Sequence, residues 1–255
     1  MQEFEGRKVA FKALVGSHNY NLNDETSDRD YKFFVLPTFD DLYDNRYYSL
    51  PSQVSEELDY DVHDFRKIPQ LWYKANINFL EVLYSKEVSM LDWLRDWNTP
   101  LNVSAGIVSK INEIFAMKEE IARMNLPYLY HACKGMHFNK MSYLYKGTKG
   151  TMPLVKQFGY DTKQALHAYR VLDFIVRLHD ANFDFPTAMK YEGADRDFML
   201  SIKQGCFSDR DFKLLVEEIM IKFLTLEEVY DRLATDEETC RKLKELVKEI
   251  VKLSI

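Results

Sequence analysis

The stretch Val9-Ala10-Phe11-Lys12-Ala13-Leu14-Val15-Gly16-Ser17-His18-Asn19-Tyr20, followed by Ser27-Asp28-Arg29-Asp30-Tyr31-Lys32-Phe33-Phe34-Val35-Leu36, decides the fold of this chain. Both apolar runs read as strands, so the glycine-serine turn and the aspartates are expected between them. Gly16 has no side chain and lets the backbone approach a phosphate closely, while the hydroxyl and amide of Ser17 suit a β- or γ-phosphate. Side chains two apart on a strand share a face, so Asp28 and Asp30 are expected to aim at one point. Carboxylates that close repel unless a cation lies between them, and hard oxygen ligands suit Mg²⁺ or Mn²⁺. The stretch therefore points to metal-assisted phosphoryl chemistry. Ser27 reads as a residue that orders the turn before Asp28, and Asp24 and Glu25 as solvated loop acids.

A two-metal site needs a further acid. Leu58-Asp59-Tyr60-Asp61-Val62 supplies one. Its alternation sets Leu58, Tyr60 and Val62 on a buried face and Asp59 with Asp61 on the opposite, site-facing side. Either aspartate can complete a triad.

Gly-Ser, a short loop, Ser-Asp-x-Asp and an acid on a later strand, in that order, resemble the nucleotidyltransferase superfamily typified by DNA polymerase β. Asp64-Phe65-Arg66-Lys67 leading into Ala75-Asn76-Ile77-Asn78-Phe79-Leu80-Glu81-Val82-Leu83 is similar to its bacterial and phage, RNA-repair-associated branch. So are Gly159-Tyr160-Asp161-Thr162-Lys163 through His167-Ala168-Tyr169-Arg170, and Leu200-Ser201-Ile202-Lys203-Gln204-Gly205. The resemblance implies an α+β fold, with a mixed sheet and flanking helices in an N-terminal catalytic core and a helical C-terminal domain. It implies transfer of a nucleoside monophosphate from an NTP to a hydroxyl on an RNA end, a protein or a small molecule, with release of pyrophosphate. Asp28 and Asp30 are then the ligands of Mg²⁺ or Mn²⁺. Counting back without gaps from Arg66-Lys67 places the third acid at Asp59, and a one-residue bulge would move it to Asp61. Lys163, His167 and Arg170 stack on one helix face, which the resemblance turns toward the triphosphate or base. Two departures stand out: Tyr20-Asn21 where many relatives have Tyr-Gly, and His18 where they have Arg. Asn tolerates a left-handed backbone, so the turn is expected to survive. The alternative is a nucleotide-binding regulatory or interaction module of the same fold without turnover, which the three retained acids disfavour.

With 255 residues, 46% of them hydrophobic and 29% charged, the chain can form one large or two smaller soluble domains. It has no apolar stretch of bilayer-crossing length, and Met1–Lys8 lacks the apolar core of a signal peptide, so a cytoplasmic location is expected. Cys133, Cys206 and Cys240 are too widely spaced for a zinc motif and read as ordinary thiols. The net charge of −6 disfavours extensive duplex nucleic-acid binding and admits a small substrate or a single nucleic-acid end. One basic cluster breaks the trend: Lys134, His137, Lys140, Lys146, Lys149 and Lys156, with Tyr143 and Tyr145 between. It reads equally as a phosphate-binding face and as a solvated one. Arg66 and Lys67 likewise read as phosphate contacts or as partners of nearby acids.

Strand signals dominate from Val9 to Val62, with turns at Thr38-Phe39-Asp40-Asp41 and Leu50-Pro51-Ser52. Helices follow Asp64. Asn98-Thr99-Pro100 suggests a boundary, giving a catalytic domain over 1–97 and a helical domain over 98–255. Ile107, Ile111, Ile114, Phe115, Lys118 and Ile121 trace one amphipathic helix and Leu166 to Leu178 another, with two more over Ser208–Leu224 and Thr235–Leu253.

Overall fold

The computed structural model describes residues 4–25, 27–54, 59–90, 99–148 and 150–255. Five strands, β1 (Val9–Val15), β2 (Asp30–Val35), β3 (Ser49–Val54), β4 (Asp59–Asp64) and β5 (Val88–Ser89), form one sheet in the order β3-β4-β2-β1-β5. β2 and β4 run parallel and the other pairs antiparallel, so the sheet is mixed. Helices α1 (Phe39–Tyr43), α2 (Ile68–Tyr73), α3 (Ile77–Leu80), α4 (Leu101–Ala116) and α5 (Lys118–Arg123) follow in the first half. The second half holds α6 (Leu126–Ser142), α7 (Met152–Phe158), α8 (Thr162–Asp180), α9 (Phe185–Met189), α10 (Gly193–Lys203), α11 (Asp209–Thr225), α12 (Glu227–Asp231) and α13 (Glu237–Ser254). The fold is α+β, as the motifs imply.

Both sheet faces are buried because β1 and β2 are apolar on both sides. On one face Leu14, Tyr31, Phe33, Val35 and Val62 form a core closed by Phe4, Tyr48, Leu50 and Tyr60. On the other, Phe11 stacks on Phe34 at 4.7 Å and meets Phe115 of α4 edge-on at 5.3 Å. α13 packs on α4 and α2 through Leu243, Leu246, Val247 and Ile250, a three-and-four spacing that gives one apolar stripe.

The chain divides into two compact units. The sheet unit comprises 1–19, 23–125 and 236–255, and the helical unit comprises 20–22 and 126–235. Contacts thus group α4, α5 and α13 with the sheet, unlike the cut expected at 97/98, since their apolar faces pack on α2, on one another and on Phe11. Asn98 and Leu58 lie outside the described residues. In the helical unit α8 is central and packs against α6, α9, α10 and α11.

Three local expectations change. Thr38-Phe39-Asp40-Asp41 opens α1 through a capping box, with Thr38 Oγ1 accepting from the Asp41 amide and Asp41 from the Thr38 amide. Pro51 stays within β3, an edge strand whose register shifts between Leu50 and Gln53, where a missing N–H is tolerated. The single helix expected from Ile107 to Ile121 is two, broken at Met117.

Candidate active site

Residue 16 follows β1 directly and opens a 3-10 turn, Gly16–His18. Its φ is +76°, and a Cβ there would lie 2.8 Å from Asp30 Oδ2. The backbone conformation favours glycine, and any Cβ there would make the Asp30 carboxylate shift. The proximity follows from register, since Val15 pairs with Asp30 across β1 and β2.

The parallel pairing of β2 with β4 sets Asp30 opposite Asp59 and Lys32 opposite Asp61. These four residues share the sheet face on which Phe11 and Phe34 lie, while Tyr60 and Val62 enter the opposite core, as the alternation required. Asp59 and Asp61 nevertheless differ. The Lys32 ammonium donates to Asp61 Oδ2 at 2.6 Å, and His63 Nε2 stands 3.1 Å from Asp61 Oδ1. Burial opposes ionisation of Asp61, but His63 and Lys32 outweigh it and hold its pKa below the usual carboxylate range. Lys32 is itself buried, with its ammonium 4.9 Å from the Phe79 ring centroid. Among the described residues no cation pairs with Asp59.

Asp28 does not belong to β2, which begins at Asp30. It is exposed in the preceding segment, so strand alternation does not orient it. Arg29 is turned away to Glu87 at 2.5 Å and to the Tyr31 hydroxyl at 3.0 Å. Ser27 Oγ donates to Asp24 Oδ1 and accepts from the Asp24 amide, which confirms its turn-ordering role. Asp24 is therefore part of that turn and not a solvated acid, because its carboxylate holds the serine hydroxyl.

The sequence reading missed Glu81. It is buried, its Oε2 accepts from the Gly16 amide at 2.8 Å, and Asn19 Nδ2 donates to the Leu14 carbonyl at 3.0 Å beside it. Glu81 thus anchors the turn and occupies the Gly16 N–H. Lys32 was missed as well. Each is a lone charge inside an apolar run, Phe79-Leu80-Glu81-Val82-Leu83 and Tyr31-Lys32-Phe33-Phe34, and such a charge needs a partner once buried.

Arg66 and Lys67 lie in a 3-10 turn, Phe65–Lys67, that precedes α2. Arg66 donates from Nε and Nη2 to the buried Asp64 at 2.8 and 2.6 Å, the ion-pair alternative, whereas Lys67 lies over the Tyr47 ring.

Lys163, His167 and Arg170 fall on α8 of the helical unit. Lys163 is exposed. Arg170 is buried with its guanidinium 3.6 Å from the Tyr20 ring centroid. His167 is half-buried with Nδ1 enclosed, and its pKa falls well below the ordinary histidine value, first through burial and then through Arg170, Lys140 and Lys163. The ring is neutral at physiological pH. Asn21 takes φ +59° and donates from Nδ2 to the Tyr191 carbonyl at 2.9 Å, so the Tyr20-Asn21 departure keeps the left-handed turn. The basic cluster around Lys134 is divided: Lys134 pairs with Glu227, buried His137 bonds the Ala168 carbonyl, and Tyr145 donates to Asp209. Lys149 lies outside the described residues. Cys133, Cys206 and Cys240 are free thiols, and burial pushes Cys133 up to about 12.

Among the described residues no three His, Cys, Asp or Glu side chains stand together as a metal site. The paired Asp30 and Asp59 still suit Mg²⁺, a cation that one or two carboxylates bind when substrate phosphates complete the shell. Among the described residues no helix is long and apolar enough to cross a membrane.

The mixed sheet, the glycine-serine turn and the aspartates set opposite each other on parallel strands are the arrangement that the resemblance to polymerase β-like nucleotidyltransferases implies. Residues 1–98 match the RNA repair pathway DNA polymerase beta family. Comparison with curated proteins gives no significant match.

Proposed function

We propose that this chain transfers a nucleoside monophosphate from an NTP to a hydroxyl acceptor and releases pyrophosphate. The carrying observation is the register that sets Asp30 opposite Asp59 on the face beside Gly16. Ser17 would hold a β- or γ-phosphate through its hydroxyl and amide, with the turn kept rigid by Glu81. A divalent cation, Mg²⁺ or Mn²⁺, held by Asp28, Asp30 and Asp59 would neutralise the triphosphate and lower the pKa of the attacking hydroxyl. Asp59 is the third acid in this reading, because Asp61 is committed to Lys32 and His63. Within the helical unit Lys163 is an exposed ammonium, whereas Arg170 and His167 serve mainly the interior. An RNA end is the acceptor favoured by the family match, ahead of a protein or small molecule.

The test is transfer of radiolabel from each α-labelled NTP to cellular RNA or protein, with Mg²⁺, Mn²⁺ or EDTA, alongside calorimetry of NTP binding. Metal-dependent transfer lost in Asp30→Ala is expected, with NTP affinity falling sharply in EDTA. Metal-dependent NTP binding without transfer to any acceptor would favour the nucleotide-binding module instead. Equal NTP affinity with Mg²⁺ and EDTA would overturn the metal-bridged site.

A further inference from the structure

At the other end of β4 from Asp59, a groove of about 690 Å³ is bounded by the Phe65–Lys67 turn, the start of α2 and the last turns of α13. Arg66, Lys67, Lys244, Lys248 and Lys252 line it together with Tyr47, and none of its lining residues is acidic. All belong to the sheet unit. In a chain of net charge −6, five cations around one groove are a strong local reversal.

The arrangement has a regular origin. Lys244, Lys248 and Lys252 recur every four residues on α13, so they form one exposed row spaced about 6 Å apart. Val247 and Val251 give the row an apolar floor. Arg66 is fixed by Asp64, and its guanidinium lies 4.3 Å from the Tyr47 ring centroid, with Lys67 Nζ at 5.4 Å. Tyr47 is 52% exposed, so much of its surface remains open to a ligand. Favourable interaction with the helix dipole accounts for Lys252 in the last turn but not for Lys244, two turns earlier. Glu245 lies 3.4 Å from Lys248, while Lys67, Lys244 and Lys252 make no ion pair among the described residues.

We propose that this groove binds the phosphate backbone of a single-stranded polynucleotide, with a base stacked at Tyr47. A row of point charges suits successive phosphates, and an aromatic ring beside it selects a strand whose bases are unpaired. The groove is distinct from the nucleotidyl-transfer site, since the length of β4, roughly 17 Å, lies between Asp59 and Asp64. Binding there requires neither NTP nor turnover and stands apart from the proposed reaction.

Fluorescence anisotropy of a labelled 15-nucleotide single-stranded RNA, in EDTA and without NTP, tests it. Affinity should fall with salt. Lys244→Ala/Lys248→Ala/Lys252→Ala should weaken binding at least tenfold and reduce the slope of log K against log salt by about 2, at about 0.7 per phosphate lost. Tyr47→Ala should weaken binding about tenfold, and Tyr47→Phe should retain it. The variant Lys213→Ala/Lys222→Ala/Lys242→Ala, which removes equal charge elsewhere, should stay within about twofold of wild type. These lysines are exposed, so unchanged melting is expected in both triple variants. Equal losses in the two triple variants would overturn the proposal. So would affinity for duplex RNA, polyglutamate or anionic vesicles that matches affinity for the single strand.

Discussion

Asp41 of the sheet unit and Asp173 of the helical unit are held in opposite ways. In the sheet unit Asp41 is clamped by Arg7 at 2.7 Å, Asp64 by Arg66 and Asp61 by Lys32. The Arg7 guanidinium holds Asp41 down to about 2 despite burial. In the helical unit Asp173 meets the Tyr191 hydroxyl at 2.8 Å, and burial pushes it up to about 6. The contrast bears on the candidate site. Asp41, Asp61 and Asp64 of the sheet unit each pair with a cation and buried Glu81 accepts from the Gly16 amide, whereas Asp59 pairs with no cation among the described residues, which is why we propose it for chemistry.

The sharpest way to break that distinction is to remove the charge from each β4 aspartate in turn. Asp59→Asn should cut transfer by several orders of magnitude, since activating the acceptor hydroxyl is a transition-state contribution, yet leave melting unchanged and NTP affinity within about tenfold. Asp61→Asn should do the reverse. It leaves the Lys32 ammonium buried without its carboxylate, an effect of about 3 kcal/mol or more on stability, with transfer largely retained at low temperature. Paired turnover assays and denaturant melts decide the matter, and the opposite ranking would exchange the roles of the two residues.

Gly16→Ala should come next. The methyl group would crowd Asp30 Oδ2 at 2.8 Å in a backbone conformation that L residues rarely adopt, at roughly 1–3 kcal/mol. Displacing the Asp30 carboxylate should lower transfer well beyond what the stability loss explains. Transfer that tracked the melting temperature alone would show that Gly16 serves the fold and not the site.

The smallest effect is in the helical unit and concerns pH. The folded-state pKa of Asp173 is raised above 3.8, so the native form holds the proton more tightly than the unfolded chain. Its contribution is full below about pH 4 and is lost as pH rises through about 6. Asp173→Asn should therefore flatten the decline in melting temperature across that window. Asp41 has the opposite sign: its contribution is full above the unfolded value and is lost as pH falls toward about 2.

Much of the fold was legible because its signals are local. Alternation placed Tyr60 and Val62 in the core and Asp59 and Asp61 on the other side, while three-and-four periodicity located α4, α8, α11 and α13. The motif order carried the resemblance that the family match over residues 1–98 supports, and the turn-forming tendency of serine carried the role of Ser27. The sequence by itself therefore pointed to a polymerase β-like core, which the family match over residues 1–98 supports, and to a short set of candidate acids. Tertiary structure alone decided which acids have partners, because strand register joins residues some 30 positions apart: Asp30 to Asp59, and Lys32 to Asp61. It also decided that Glu81 holds the Gly16 amide and that α13, from the far end of the chain, faces Arg66 and Lys67 with a row of lysines. Charge neutralisation depends on distances of a few ångströms between residues remote in sequence, and no local pattern encodes them.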